Sequence, residues 1–299
     1  MKEGSRAEVF AAMFAPENTL WGFLLVGCGM DEYQSSEESR STWVGLAHRW
    51  RNLGVLVSLL TAILIWVAAA RWSNLPAFIL PPPADVWGRF LQTLQDGTLL
   101  RHTSTTLFEV LLGLLAGSTL ATVLGYWLAR SRLLEQIVAP YLVASQAIPI
   151  VAIAPLIIIW FKPGLFPKVL ICALTVFFPI LVNTVVGLRA VPENLRDLMR
   201  SLRASRGQML RHLEIPAALP VFLGGLRVGA TLSVIGAIVG EFVSADRGLG
   251  FLINVGRGQF DTALVFVAVF TLITLAVCLY GVVVLLERRL LRWQGENAF

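Results

Sequence analysis

The sequence predicts an all-α, polytopic membrane protein with six transmembrane helices. Three observations predict it. Hydrophobic residues fill 56% of the 299 positions and charged residues only 14%, with mean hydropathy +0.73; soluble domains carry about 25% charged residues. Apolar runs recur that approach the roughly 20 residues a membrane-crossing helix needs. Arginines collect at the ends of those runs on alternate connections, which is the pattern of the positive-inside rule.

Residues 1–48 match no spanning pattern and read as a disordered cytoplasmic tail. The apolar run 20–29 is too short to cross a bilayer. Leu25-Val26-Gly27-Cys28 is similar to a lipoprotein cleavage box, but Glu17 interrupts the run and Lys2 and Arg6 lie far upstream. Residues 31–41 are acidic and serine-rich, a composition that resists burial. Met30 is an in-frame alternative start.

The membrane domain is expected over 49–294, with 295–299 as a short tail. Its spans read as 53–70, 106–129, 137–161, 169–188, 222–243 and 264–286. Between the first two, Pro81-Pro82-Pro83 fix an extended approach, and Asp85 is placed to cap a short helix. Trp87, Phe90, Leu91 and Leu94 recur along that helix at roughly helical spacing, which suits a membrane-surface helix or a packed connector. Pro149 and Pro155 fall in the third span and Pro179 in the fourth. Proline within a membrane helix kinks it and frees a carbonyl that a neighbour or water must satisfy.

One set of connections holds Arg49, Arg51, Arg130, Arg132, six arginines between 189 and 211, and Arg288, Arg289 and Arg292. The opposite set holds only Arg71, Arg89, Arg101, Lys162, Lys168, Arg247 and Arg257. Both termini and the 189–220 loop are therefore expected in the cytoplasm. The net charge of +5 follows from this topology and is no sign of nucleic-acid binding.

The 189–220 loop is the most informative stretch. Leu195, Leu198, Met199 and Leu202 follow i, i+3, i+4, i+7, and Met209, Leu210 and Leu213 extend the apolar face after a break. Pro192 and Glu193 mark a helix start; Pro216 and Pro220 mark re-entry into the membrane. One or two amphipathic helices should lie across the inner face, resting on anionic headgroups or docking a partner.

Catalytic and metal motifs are missing. Cys28, Cys172 and Cys278 show no C-x-x-C spacing, and His48, His102 and His212 are scattered. No metalloprotease, nucleophile-elbow or P-loop pattern occurs, so any ATP-driven step requires a nucleotide-binding partner chain.

The loop residues carry a family resemblance. The inner-membrane permeases of binding-protein-dependent ABC importers share a cytoplasmic signature: E-A-A, three residues, Gly, nine residues, Ile, one residue, Leu-Pro. Asp197-Leu198-Met199 stand at the E-A-A positions. Ser201-Leu202-Arg203-Ala204-Ser205 resembles S-L-G-A-S, and the 213–220 stretch, with Glu214 and Pro216, resembles V-E-L-P-A-A-L-P. Supporting matches are Ala147-Ile148-Pro149, Ala154-Pro155-Leu156, Trp160-Phe161, Gly225-Leu226-Arg227, Gly240-Glu241 and Arg247-Gly248-Leu249-Gly250, so the resemblance covers about 50–294. It implies a type I importer permease fold whose loop docks on an ATP-binding subunit. The family glycine falls on Arg203. Either Gly207 supplies a displaced turn or one longer helix runs through.

The resemblance implies two ATP-binding subunits, an extracellular substrate-binding protein and a second permease copy, as a homodimer or with a sister chain. The chain itself would bind no cofactor, ATP being used by the partner. Pro81-Pro82-Pro83 followed by Val86-Trp87 looks like the branch serving taurine, alkanesulfonates, nitrate and the thiamine pyrimidine. Ser145-Gln146-Ala147-Ile148-Pro149 and Phe177-Phe178-Pro179-Ile180 with Asn183-Thr184 look closer to importers of riboflavin and heteroaromatic precursors. Polar residues within spans are the pathway candidates: Ser145, Gln146, Asn183, Thr184, Thr231 and Ser233. Glu109 and Glu241 read as lying near outer helix ends, with Glu241 a candidate contact for the binding protein. Arg227, near an inner end, is expected to snorkel to the interface. The rival readings are an ion-coupled transporter, which needs a buried carboxylate at mid-membrane, a membrane enzyme and a structural subunit.

Overall fold

Every described secondary-structure element is a helix. The computed structural model describes residues 54, 57, 58, 60–72, 76, 78–244 and 246–292. The expected tails at 1–48 and 295–299, the box ending at Cys28, Met30, Arg49 and Arg51 lie outside the described residues. The chain divides into two compact units, 1–63 and 64–299. In the first, every described residue is helical; the account below concerns the second.

A short apolar helix, α1, covers Leu60–Trp72. Helix α2 (Pro83–Gln95) starts with Pro82 at its N-cap and Pro83 at its first position, where a missing N–H costs nothing. Asp85 therefore sits inside the first turn and does not cap the helix by a side-chain bond, which corrects the expectation. Helix α3 (Thr98–Arg130) begins eight residues before the expected span, taking in Arg101, His102 and Thr105. The amide of Thr98 donates to the Asp96 carboxylate at 2.8 Å, which holds the Asp96 carboxyl below its ordinary range.

Helices α4 (Arg132–Gln146) and α5 (Ile150–Phe161) replace the single expected span 137–161. They meet at 96°. Pro149 lacks the N–H that would continue the helix and becomes the N-cap of α5. Helix α6 (Leu165–Arg189) is the centre of the bundle, with Ile171, Cys172, Val176 and Ile180 fully buried between α3 and α8. Helix α7 (Glu193–Ser201) is the first half of the basic loop. Helix α8 runs Arg206–Val243 and includes a π-helical turn at Leu210–Glu214. Helix α9 (Leu249–Gly258) is short, and α10 (Thr262–Leu290) closes the bundle against α8, α9 and α2.

Close helix approach comes from small residues, as membrane helices require when lipid supplies no hydrophobic drive. A Cβ on Gly117 would lie 2.6 Å from the Ala173 carbonyl, and one on Gly236 would lie 2.8 Å from Cys172 Cα. Outward faces carry exposed apolar side chains such as Leu115, Leu120, Ile159, Trp160 and Val277, which suit lipid. Among the described residues, four helices, α3, α6, α8 and α10, are long and apolar enough to cross a membrane; the bent α4–α5 pair would make a fifth.

Candidate functional site

The basic loop forms two helices joined by a tight turn. Leu202 closes α7, its amide donating to the Leu198 carbonyl at 3.0 Å. Arg203 then adopts φ 53, the left-handed region. Ser205 caps α8 in a reciprocal box: its hydroxyl accepts from Gln208 N–H, and its own N–H donates to Gln208 Oε1 at 2.8 Å. The turn is thus at Arg203 itself. Gly207 lies inside the first turn of α8, and the helix is not continuous, so both expected compensations are corrected. A left-handed non-glycine residue costs about 1–2 kcal/mol, which the capping box and the two helices around it hold in place.

Leu198 and Leu202 are exposed on this loop, as are Asp197, Arg203, Ser205 and Gly207, while Met199 and Ala204 are half-buried. Arg200 bridges to Asp197 at 2.8 Å and to Glu193 at 3.3 Å. Such exposed pairs contribute about 0–1 kcal/mol, so they do not fix the loop. Pro216 is half-buried in the turn after the π segment. Glu214 is different: it is buried, and its carboxylate pairs with Arg130 at 3.1 Å. It faces α3 and not a docking surface. Arg130 also lies over the Tyr126 ring at 4.8 Å. Arg189 donates to the Leu128 carbonyl at 3.1 Å, and Arg196 to the Leu188 carbonyl at 2.9 Å. Several arginines counted for topology therefore also tie the loop to the ends of α3 and α6.

The structure brings together three of the six pathway candidates. Ser145, Gln146 and Asn183 line a cavity of about 460 Å³ with Thr175, Phe178 and Pro179, where α4 breaks against α6. Thr184 and Ser233 do not line it. Both are buried between helices and donate to their own backbones, to Ile180 and Ala230. Thr231 is half-buried and donates to the Val228 carbonyl at 2.8 Å. Arg227 does not snorkel free; it pairs with Glu287 on α10 and lies over Tyr280.

The chain as a whole matches known proteins. The family model described as binding-protein-dependent transport system inner membrane component matches residues 113–292, from the middle of α3 to beyond α10. The chain belongs to this family. It is a multi-pass membrane protein and the non-catalytic permease subunit of an ABC importer. The permease is 51% identical over 247 residues to the riboflavin transport system permease protein RibX of Chloroflexus aurantiacus, covering 83% of this chain and 92% of that one. It is 35% identical to the formylaminopyrimidine transport permease protein ThiX of Halalkalibacterium halodurans, over 80% of this chain and 94% of that one. A solved structure of the MetNI methionine ABC transporter in inward-facing conformations aligns at TM-score 0.56 and 18% identity, covering 66% of this chain and 97% of that one; it shows the shared fold.

The permease also holds a buried charge cluster that sequence reasoning missed. Lys168, in the first turn of α6, donates to Glu109 Oε1 on α3 at 2.9 Å, with 6% and 1% of their side chains exposed. Glu241, near the end of α8, accepts from Thr106 Oγ1 at 2.7 Å and from the Gly250 amide at 2.5 Å. Thr106 in turn accepts from Leu249 N–H at 2.8 Å, and His102 Nδ1 accepts from Gly248 N–H at 2.9 Å. Three side chains thus satisfy the first amides of α9, which no intrahelical carbonyl can reach. Glu241 is 1% exposed, so the expected contact with a binding protein is corrected: its carboxylate caps α9 inside the bundle. The signal was in Arg247-Gly248-Leu249-Gly250. A Cβ on Gly248, at φ +119, would meet Glu241 Cδ at 2.2 Å. Glu241 does lie near a helix end, but Glu109 lies three turns inside α3, which starts at Thr98, and both carboxylates are buried. Among the described residues, no group of three or more His, Cys, Asp or Glu is arranged to hold a metal.

Proposed function

We propose that this permease moves riboflavin, or a closely similar neutral heteroaromatic vitamin or precursor, into the cell. The observation that carries the reading is the 51% identity to the riboflavin permease, against 35% to the formylaminopyrimidine permease and 32% to the taurine permease of Escherichia coli. An extracellular binding protein delivers the solute. Six spans form the membrane domain: α1, α3, the broken α4–α5 pair, α6, α8 and α10, with both termini inside. Two copies of the chain enclose the path.

Two ATP-binding subunits use ATP, and this chain binds no cofactor. Their groove takes the exposed loop face around Asp197, Leu198, Leu202 and Arg203, with Met199, Ala204, Ser205 and Gly207 shaping its turn. Leu198 and Leu202 are exposed and apolar on this face, which suits a surface that a partner covers. The Glu214–Arg130 pair then carries loop motion into α3. Closure of the ATPase pair favours the outward-open state, and only a ligand with unequal affinity for the two states can be moved by the cycle.

The test is uptake of labelled riboflavin into proteoliposomes that contain the assembled transporter, ATP inside, binding protein outside and no ion gradient. Accumulation that requires hydrolysable ATP is expected. Uptake that instead requires a proton or sodium gradient refutes the reading.

A further inference from the structure

We propose that the Ser145–Gln146–Asn183 cavity is a selectivity site within the permease itself, taking a planar, uncharged heterocycle with an imide edge and rejecting anions. The proposal rests on the reading of the chain as a heteroaromatic importer, and it adds a second selection after that of the binding protein.

The first observation is the break between α4 and α5. Residues 147–149 leave the helical path at a 96° bend inside the membrane domain. Irregular backbone at membrane depth is tolerated only where it is buried in protein or lines a wet cavity. Gln146 stands at that break, exposed, its side-chain amide forming no hydrogen bond among the described residues. An amide without partners is costly in lipid, so it belongs to a hydrated path.

The second observation is the hydrogen-bonding pattern of the wall. Asn183 Nδ2 donates to the Pro179 carbonyl at 2.8 Å, which orients the amide and leaves Oδ1 as a free acceptor. Pro179 has no N–H, so the carbonyl of Thr175, a residue of the same wall, loses its i+4 helical donor. Ser145 donates to the Leu142 carbonyl at 2.8 Å and keeps its acceptor lone pairs. Donors come from the Gln146 amide and from Ile150 N–H, the first of α5, which has no intrahelical acceptor. The wall thus offers acceptors and donors together, and an imide, C=O/N–H/C=O, needs both on one edge.

The third observation concerns shape and charge. Phe178 is half-buried and held edge-to-face on the buried Phe177, ring centroids 5.1 Å apart, so an aromatic surface is already ordered beside Pro179. No Lys, Arg or His lines the cavity among the described residues. The α5 N-terminus would favour an anion by only about 0.3–1 kcal/mol. Desolvating an unpaired anion costs several kcal/mol. A sulfonate therefore finds too little there, whereas a neutral imide loses no charge solvation.

The test uses native cells carrying Asn183→Leu, the near-isosteric Asn183→Asp, Gln146→Leu, or Thr119→Val on the exposed face of α3 as control. Permease abundance is followed by immunoblot. The probes are labelled riboflavin and N3-methylriboflavin, which lacks the imide N–H. Each cavity variant should lower the maximal riboflavin uptake rate about fivefold or more at unchanged half-saturation, since the binding protein sets the latter. The wild type should prefer riboflavin over the methylated probe in maximal rate, and Asn183→Leu should erase that preference. Wild-type rates in both Asn183→Asp and Gln146→Leu at normal abundance overturn the proposal, as does a preference that survives Asn183→Leu. If the wild type imports taurine and no riboflavin, the functional reading falls first and this proposal with it.

Discussion

Lys168 offers the sharpest test of how the bundle is held together. Its ammonium is paired with Glu109 at 2.9 Å, and the two side chains are 6% and 1% exposed. Glu241 lies in the same cluster, so Lys168→Met leaves two buried carboxylates without their buried cation; Arg247, which lines the same cavity, is exposed. Removing one partner of a buried pair costs about 3–5 kcal/mol, because the remaining charge stays desolvated. Replacing both partners with neutral groups of similar volume is close to neutral. The double variant Lys168→Met/Glu109→Gln should therefore recover most of what Lys168→Met loses. At about 2–4 °C per kcal/mol, the single variant should unfold at least about 6 °C below wild type. The assay is thermal unfolding of the detergent-purified permease, run as a double-mutant cycle. A double variant as unstable as the single one, or a single variant at the wild-type midpoint, refutes the reasoning.

Other consequences are as direct. Arg203→Gly removes a left-handed strain of about 1–2 kcal/mol at the cost of about 0.5–1 kcal/mol of glycine entropy, so it should leave stability equal or higher in the same unfolding assay. A clear loss of stability would mean that Arg203 makes contacts beyond its turn. Gly248→Ala sets a Cβ 2.2 Å from Glu241 Cδ at φ +119, and should fail to accumulate as folded protein by size-exclusion chromatography; a normal peak contradicts the cap. Asp197→Arg inverts an exposed loop charge, and should lower substrate-stimulated ATP hydrolysis of the assembled complex while permease abundance holds. Undiminished hydrolysis would remove Asp197 from the coupling surface.

Much of the architecture was legible in the sequence because it depends on local composition. The helices α6 and α10 fall where hydropathy put them; α8 contains the expected span 222–243 but starts at Arg206, inside the basic loop, and runs on through Pro216 and Pro220 without a break. The third expected span was misread for a physical reason. The apolar run continues across 147–149, and hydropathy does not register the N–H that Pro149 lacks. In the loop, the position of the turn was misplaced: arginine at the family's glycine position pointed to a turn displaced to Gly207 or to one continuous helix, and Arg203 gave no sign that it would adopt the glycine conformation. That conformation is stabilised by the Ser205–Gln208 box and the α7 end, which are read only together. Ser145, Gln146 and Asn183 were legible as polar residues in apolar runs. Their union in one cavity, and the exclusion of Thr184 and Ser233, were not.

By itself, the sequence determined the membrane class, the arginine-rich loop and the family, since hydropathy, charge bias and motif spacing are properties of the chain read in order. Tertiary structure decided which polar groups are partners. Lys168 meets Glu109 across 59 positions, and Thr106 meets Glu241 across 135. In a bundle, such pairs depend on how closely the helix backbones approach, which small residues such as Gly117 and Gly236 permit. Only that approach turned Glu241 from an outward-facing carboxylate into the buried cap of α9.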